Sequence, residues 1–252
     1  MSHATGNIND IFFNSSYKHA WKSLIPPGMT EVETDFIIEV CGLKPGALVL
    51  DLMCGYGRHA LELGRRGIHV TAVDNLQEYI EEINSQAKEE NLPVTAVCTN
   101  ALDFQSQFKF DAIICMGNSF AFFDRKNAVS LLGKVASSLQ SSGSFMINSW
   151  MVAEIAIKYF REHDWHFAGE YKCVLDYKYR FHPSRIESEQ TIISPDGSVE
   201  ILKGVDYIFS LNEMEEMCSE TGMEISRLYG SPRKKPFTLG DNRIYLIARP
   251  VN

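Results

Sequence analysis

Two apolar runs that each end in an aspartate constrain the fold of this chain most strongly. ALVLD at 47–51 is apolar up to Asp51, and the glycine-containing loop LMCGYG follows it. IHVTAVD at 68–74 repeats the pattern and ends at Asp74. Short, continuous apolar runs of this kind are typical of parallel strands that are buried on both faces. The pattern therefore predicts a parallel α/β sheet with a glycine loop at its carboxyl edge.

The same alternation of strand and helix continues through the first 160 residues. Side-chain caps predict the starts of three helices: Thr30 with Glu33, Asn75 with Glu78, and Asp124. Further strands are predicted at 94–98, 110–116 and 144–150. This order predicts an α/β fold with a doubly wound, mostly parallel, seven-stranded sheet of the Rossmann-like type.

Residues 163–210 interrupt this alternation. Three strand-like runs, at 171–181, 185–194 and 199–210, are separated by HPS and PDG, which are turn sequences. They predict an antiparallel β insert before the last two strands, which are expected at 223–230 and 243–250. We expect one domain over 1–252, divided into an N-terminal lid at 1–29, a cofactor-binding core at 30–162 and 211–252, and a substrate cover at 163–210.

Composition argues against several kinds of partner. The net charge is −8, and the densest basic cluster is SPRKKP at 231–236, whereas nucleic-acid binding needs a basic face. No run is apolar enough to cross a membrane, and the first residues lack a secretion signal. Six cysteines without a C-x-x-C pair indicate free thiols in a reducing compartment. We expect a cytoplasmic protein that binds neither nucleic acid nor membrane.

The glycine loop admits two interpretations. GYGRHA at 55–60 fits a dinucleotide fingerprint, and Asp74 follows at a suitable distance. However, Asp51 precedes Gly55 by four residues, where a carboxylate would repel a diphosphate and attract an ammonium. The chain also lacks the Tyr-x-x-x-Lys pair of short-chain dehydrogenases. A ligand with an ammonium, a ribose and an adenine but no phosphate fits better, and S-adenosylmethionine is such a ligand.

On this interpretation, each loop after a strand contacts one part of the cofactor. Asp51 lies along the methionine part, and Asp74, with Asn75 beside it, accepts hydrogen bonds from the ribose hydroxyls. Gly55 and Gly57 let the backbone pass close to the ligand because neither has a Cβ atom. The residues expected around the adenine are Asn100, Ala101 and Leu102.

The chain resembles class I S-adenosylmethionine-dependent methyltransferases of the small-molecule type over about residues 30–160 and 211–250. Members of that family commonly read D-x-G-C-G-x-G-R in the first loop, and this chain reads DLMCGYGR at 51–58. Met53 stands in place of the family's first glycine and Tyr56 in place of a small residue. The resemblance implies that both residues contact the cofactor.

One segment is similar to a narrower group. FDAIICMGNSFAFF at 110–123 resembles the corresponding segment of glycine N-methyltransferases. That resemblance implies that Met116 and Gly117 touch the cofactor. It also implies that Asn118 faces the methyl acceptor as the catalytic and substrate-binding residue, although a loop-capping asparagine would look the same in the sequence.

Other substrate contacts are less specific in the sequence. Tyr17 and Trp21 are candidates for an aromatic lid, with an ordinary amphipathic helix as the alternative. Arg180 is a candidate for gripping an acceptor carboxylate, with a surface strand charge as the alternative. His163 and His166 in HDWH have no third ligand nearby, so no metal site is predicted.

These residues predict an enzyme that transfers a methyl group from S-adenosylmethionine to N or O of a small molecule by in-line displacement. In such a reaction, the protein mainly orients the two reactants. Two alternatives remain open. One is a non-catalytic protein that binds S-adenosylmethionine or S-adenosylhomocysteine, and the other is an oxidoreductase that uses NAD or NADP.

Overall fold

Eleven strands form two separate sheets in a computed structural model that describes residues 7–13 and 16–251. The strands are β1 (Leu48–Leu52), β2 (His69–Asp74), β3 (Val94–Cys98), β4 (Phe110–Cys115), β5 (Leu139–Ser149), β6 (His163–Ala168), β7 (Tyr171–Phe181), β8 (Ser184–Ile193), β9 (Val199–Tyr207), β10 (Met223–Tyr229) and β11 (Ile244–Pro250). The larger sheet has seven strands in the order β3-β2-β1-β4-β5-β11-β10. β11 runs opposite to the other six strands, which confirms the predicted doubly wound, mostly parallel sheet.

Helices cover both faces of this sheet. They are α1 (Ser16–Leu24), α2 (Met29–Cys41), α3 (Arg58–Arg65), α4 (Gln77–Glu89), α5 (Arg125–Ser138), α6 (Ala153–Tyr159) and α7 (Leu211–Glu220). Helices α5 and α7 pack on one face, and α2, α3 and α4 pack on the other. None of the helices in the described part of the chain is long and apolar enough to cross a membrane. The order of strands reverses between β1 and β4, so a crevice for a ligand is expected outside their carboxyl ends.

The second sheet is the predicted antiparallel insert, and it has the order β6-β7-β8-β9. It contains four strands rather than the predicted three, because HDWHFA at 163–168 pairs with β7 along its whole length. That run was missed because half of its residues are polar and because its two aromatic residues, Trp165 and Phe167, are each 61% exposed. We call this sheet the cover sheet.

Two of the three predicted helix caps are wrong. Helix α2 begins after Gly28, which makes no side-chain cap, and Glu33 turns inward instead of capping. Helix α4 begins after Leu76, so Asn75 lies outside it and donates from its side chain to Asp10 at 2.7 Å. In both places, contacts between distant parts of the chain override the local pattern. The third prediction, Asp124 as the cap of α5, is confirmed by its 2.9 Å hydrogen bond from a backbone N–H.

Candidate functional site

A cavity of about 330 Å³ lies between the carboxyl edge of the larger sheet, the cover sheet and the N-terminal residues 7–13 and 16–24, which are called the N-terminal segment below. This volume is typical of a site for a small molecule. Most of the residues predicted for the site line the cavity: Tyr17, Trp21, Asp51, Met53, Gly55, Tyr56, Asp74, Asn75, Asn100, Ala101, Met116, Gly117 and Asn118. Three predicted residues, Gly57, Leu102 and Arg180, do not line it.

The carboxylate of Asp51 is buried and only partly hydrogen-bonded. The residue is 1% exposed, and within the described ranges its Oδ2 atom has no hydrogen-bond partner. The carboxylate receives one backbone hydrogen bond, from Ala60 in the first turn of α3. Burial raises the pKa of Asp51 to about 7, with Arg58 opposing the shift. A buried carboxylate oxygen without a partner is costly, so a positively charged ligand group beside it would be bound favourably.

Asp74 holds the glycine loop while keeping acceptor capacity for a ligand. Its Oδ2 accepts the N–H of Gly55 at 2.9 Å, and its Oδ1 accepts the N–H of Leu76 at 3.1 Å. Each carboxylate oxygen has two lone pairs, so one remains on each for a ligand hydroxyl. Burial raises the pKa of Asp74, while the hydrogen bonds from Gly55 and Leu76 lower it.

The loop backbone accommodates Met53 in the position of a family glycine. Met53 adopts φ 54°, in the left-handed region that glycine favours. Its side chain packs against the core beside the cavity. The loop is also tied to α1, because the ammonium of Lys22 lies 4.8 Å from the centre of the Tyr56 ring. With Met53 and Tyr56 in place of small residues, the loop therefore keeps a left-handed residue at position 53.

Gly57 serves packing rather than close approach to a ligand. It has φ 75°, and a Cβ atom placed on it would lie 2.5 Å from Cγ1 of Ile83, a fully buried residue of α4. A Cβ atom on Gly55, which has φ 55°, would meet nothing within 4 Å. Glycine is thus favoured at the two positions of GYG for different physical reasons, and of the two only Gly55 lines the cavity.

We therefore expect Gly57→Ala to be more destabilising than its matched control Gly55→Ala. Both substitutions strain a left-handed residue by about 1–2 kcal/mol. Only Gly57→Ala also overpacks the core against Ile83, which costs roughly 1–3 kcal/mol more. Urea unfolding followed by circular dichroism measures the difference. Equal losses of unfolding free energy in the two variants would mean that Ile83 moves aside without cost.

Leu102 and Arg180 lie away from the cavity. Leu102 packs against the hydrophobic core, and its N–H donates to the side chain of Asn100 at 2.9 Å. Arg180 lies on β7 with half of its side chain exposed, and its Nε donates to Glu187 at 2.9 Å. The predicted grip of Arg180 on an acceptor carboxylate is thus not supported by its position.

Asn118 connects the core to the cover sheet. Its Oδ1 accepts hydrogen bonds from the hydroxyl of Ser149 at 2.8 Å and from the N–H of Trp150 at 3.1 Å. These two donors orient the amide, so its Nδ2 donates to Oδ1 of Asp206 at 3.1 Å. Asn118 itself is 4% exposed and has φ 75°. The side chain therefore has three protein partners and orients a carboxylate in the cavity.

Asp206 is the main site residue that sequence reasoning missed. It lies on β9, lines the cavity and receives the hydrogen bond from Asn118. Burial raises the pKa of Asp206 to about 7, and the hydrogen bond from Asn118 lowers it. The alternation in β9 contained a usable signal, because Leu202, Gly204 and Asp206 share one face of the strand. A carboxylate on the apolar face of a strand is unusual enough to mark a site.

A buried cluster around Glu33 closes the cavity at the start of α3. Glu33 accepts from the hydroxyl of Tyr245 at 2.6 Å, and it binds Arg58 at 2.6 Å and His59 at 3.1 Å. Burial raises the pKa of Glu33, but the neighbouring His59 and Arg58 outweigh it and hold that pKa well below its usual range. His59 lines the cavity while it binds Glu33.

The N-terminal segment supplies an aromatic wall. Tyr17 and Trp21 stack with ring centres 6.2 Å apart and planes 10° apart, and Trp21 lies 6.1 Å from Trp150. Ion pairs between Lys18 and two glutamates of α4, both at 2.7 Å, hold α1 against the core. Tyr17 and Trp21 therefore line the cavity, and their role as an aromatic lid stays a prediction.

Hydrogen bonds fix the beginning of the same segment to the cover sheet and to helix α4 of the core. Asn9 forms two hydrogen bonds with the backbone of Val205 on β9, at 2.8 and 2.9 Å. The hydroxyl of Tyr79 donates to the carbonyl of Phe13 at 2.8 Å. The segment therefore joins the cover sheet to the core along one side of the cavity.

The charged groups around the cavity favour a cationic ligand. Four aspartates line it: Asp10, Asp51, Asp74 and Asp206. Arg58 is the one lysine or arginine among the described lining residues, and it is bound to Glu33. Within residues 7–13 and 16–251, no group of three or more histidine, cysteine, aspartate or glutamate side chains is arranged to hold a metal ion.

Comparison with known proteins agrees with this geometry. Residues 49–143 match a family model described as a methyltransferase domain. A ubiquinone biosynthesis O-methyltransferase of Rickettsia akari is 35% identical over 68 residues, which are 27% of each chain. A glycine/sarcosine N-methyltransferase of Halorhodospira halochloris is 26% identical over 155 residues, which are 60% of this chain and 58% of that protein. This chain therefore spans between a quarter and six tenths of the length of these relatives.

A solved structure extends the likeness to nearly the whole chain. The crystal structure of an S-adenosylmethionine-dependent methyltransferase from Clostridium acetobutylicum superposes with a TM-score of 0.81 and covers 94% of this chain and 98% of its own. The sequence identity is 18%, so this likeness establishes the fold. Together with the domain match, it confirms the resemblance to class I methyltransferases that the glycine loop predicts.

Proposed function

We propose that this chain, which carries the methyltransferase domain at residues 49–143 and the class I methyltransferase fold, transfers a methyl group from S-adenosylmethionine to a small molecule. The observation that carries the proposal is the partnerless Oδ2 atom of Asp51, buried where β1 meets the glycine loop. An ammonium group satisfies that atom, whereas a diphosphate would be repelled by it. This favours S-adenosylmethionine over a dinucleotide.

The other residues at the sheet edge fit the remaining parts of the cofactor. Asp74 has free acceptor capacity on both oxygens for the two ribose hydroxyls. Asn100, Ala101 and Met116 border the same cavity and would enclose the adenine and the sulfonium. When bound, the cofactor supplies a methyl group on a positively charged sulfur. The protein then has to align the acceptor with that methyl group.

The acceptor is proposed to be a small molecule methylated on N or O. The relatives named above comprise one N-methyltransferase and one O-methyltransferase, so both kinds of atom remain open at this level. The cover sheet and the N-terminal segment enclose the cavity, which supports an acceptor of limited size. Exclusion of water by such an enclosure also favours catalysis over simple sensing.

Calorimetric titration with S-adenosylmethionine, S-adenosylhomocysteine, NAD and NADP tests the proposal. We expect saturable binding of the first two and none of the nicotinamide cofactors. Formation of S-adenosylhomocysteine in the presence of pooled small-molecule acceptors then distinguishes an enzyme from a sensor. Binding of NAD or NADP, with no affinity for S-adenosylmethionine, would contradict the proposed cofactor.

A further inference from the structure

One wall of the cavity is formed by the cover sheet. Its inward face carries Tyr177, Ser188 and Asp206 on three adjacent strands, β7, β8 and β9. The aromatic rings of Tyr17 and Trp21 on α1 line the same cavity. The cover sheet therefore brings the carboxylate of Asp206 into a cavity that is also lined by aromatic rings.

The carboxylate of Asp206 is held in place from the core. Asn118 has its amide oxygen bound by Ser149 and by the N–H of Trp150, so it has only its NH₂ group left for Asp206. This hydrogen bond reaches only Oδ1. The acceptor end thus offers a carboxylate whose Oδ2 accepts no hydrogen bond from the described residues. The one lysine or arginine in the described lining, Arg58, is paired with Glu33.

We propose that the methyl acceptor is an amine, and that Asp206 binds its ammonium form and removes its proton, with Asn118 as the residue that positions Asp206. This inference rests on the proposed function and narrows its substrate class. An acceptor carboxylate would be repelled by Asp206, and Arg180 lies outside the cavity, bound to Glu187. An ammonium would form an ion pair with the carboxylate and cation–π contacts with the faces of the aromatic rings.

Proton transfer to Asp206 precedes methyl transfer. The acceptor R–NH₃⁺ gives one proton to the carboxylate of Asp206 and becomes R–NH₂ with a free lone pair. The nitrogen lone pair forms the N–CH₃ bond while the electrons of the S–CH₃ bond pass to sulfur, which leaves neutral S-adenosylhomocysteine. The product is R–NH₂⁺–CH₃, and the proton on Asp206 passes to water.

Burial favours this proton transfer. Burial destabilises the charged forms of both an ammonium and a carboxylate. It therefore stabilises the neutral amine and carboxylic acid relative to the ion pair. Burial raises the pKa of Asp206 to about 7, which suits a base that works near neutral pH. The titratable or charged groups that line the cavity with Asp206 are Asp10, Tyr17, Asp51, Cys54, Tyr56, Arg58, His59, Asp74, Tyr79, His166, Cys173 and Tyr177.

The first test is binding to protein saturated with S-adenosylhomocysteine. Matched amine and alcohol probes are titrated by calorimetry at pH 7: benzylamine with benzyl alcohol, cyclohexylamine with cyclohexanol, and glucosamine with glucose. We expect at least one amine to bind ten or more times as tightly as its alcohol, and Asp206→Asn to abolish that preference. Asp176→Asn is the matched control, because Asp176 is exposed on β7 and paired with His163.

The outcomes separate this inference from the proposed function. Binding of S-adenosylhomocysteine without any amine preference, or a preference that survives in Asp206→Asn, overturns the amine assignment alone. Failure of S-adenosylhomocysteine to bind wild-type protein overturns the proposed function and the amine assignment with it. Asp206→Asn should keep its affinity for S-adenosylhomocysteine within about twofold, since its effect is confined to the acceptor end.

The pH profile of turnover gives a second readout that a merely structural role would not produce. With the preferred amine, Asp206→Asn should lower kcat/KM at pH 7 by about a hundredfold or more. Its residual rate should then rise about tenfold per pH unit, because only free amine that is already deprotonated can react. A wild-type pH profile in Asp206→Asn would overturn the role of Asp206 as the base.

Discussion

Replacing Asp74 by alanine should weaken S-adenosylmethionine binding by roughly ten- to a thousandfold. Hydrogen bonds to a charged group contribute about 1.5–3 kcal/mol each, and about 1.4 kcal/mol corresponds to a factor of ten in affinity. The substitution removes the proposed acceptor of the ribose hydroxyls. It also removes the acceptor of the Gly55 and Leu76 N–H groups, so the glycine loop loses its anchor. Calorimetric titration at fixed salt and pH measures the loss.

An aspartate at the same edge of the sheet but outside the cavity provides a control for the loss of a carboxylate. Asp103 is exposed, follows β3 and does not line the cavity, so Asp103→Ala should leave the affinity within about twofold. Circular dichroism of Asp74→Ala should match the wild type, because Asp74 lies at the end of β2 rather than within it. Unchanged affinity in a folded Asp74→Ala variant would contradict the ribose assignment.

The sequence predicted the sheet well because burial on both faces leaves a strong local pattern. β1 and β2 are largely buried, and each carries an aspartate in its last two residues, at the carboxyl edge where ligands bind in open α/β sheets. Asp51 and Asp74 could therefore be assigned to a site before any contact was known. Their placement follows from the rule that parallel strands end at the same edge of a sheet.

The missed features all depend on contacts between distant segments. Glu33 has the spacing of a capping residue, but Tyr245 lies 212 residues away and binds its carboxylate in the core. Asp206 is paired with Asn118 across 88 residues, which no local pattern encodes. Strand β6 escaped prediction because its pairing with β7, not its own polarity, makes it a strand. Local propensity yields to such tertiary contacts.

Asp51→Asn should have opposite effects on binding and on stability. Loss of the charge removes the proposed partner of the cofactor ammonium, which should lower the affinity for S-adenosylmethionine by roughly ten- to a hundredfold. The same change removes a buried carboxylate whose Oδ2 atom has no partner in the described structure. We therefore expect the protein without ligand to gain about 1–2 kcal/mol at pH 8, or roughly 2–8 °C in Tm.

The sign of the pH dependence follows from the raised pKa of Asp51. Burial raises that pKa from 3.8 in the unfolded chain to about 7 in the folded protein, so between these values the folded state holds a proton that the unfolded chain has released. The stability from this proton is complete below the unfolded pKa, falls steadily as pH rises from that value, and is lost above about 7. The gain from Asp51→Asn should therefore be smaller at pH 5.5 than at pH 8.

Thermal unfolding of both proteins at pH 5.5 and pH 8, with and without S-adenosylmethionine, measures the two effects together. The wild type should gain more Tm from the cofactor than Asp51→Asn does, because a ligand stabilises in proportion to its affinity. Asp111→Asn is a suitable control, since Asp111 lies at the opposite end of β4 and accepts the N–H of Leu48 at 2.8 Å. An Asp51→Asn variant that is less stable than the wild type at pH 8 yet binds the cofactor equally well would show that Asp51 stabilises the fold and does not serve the ligand.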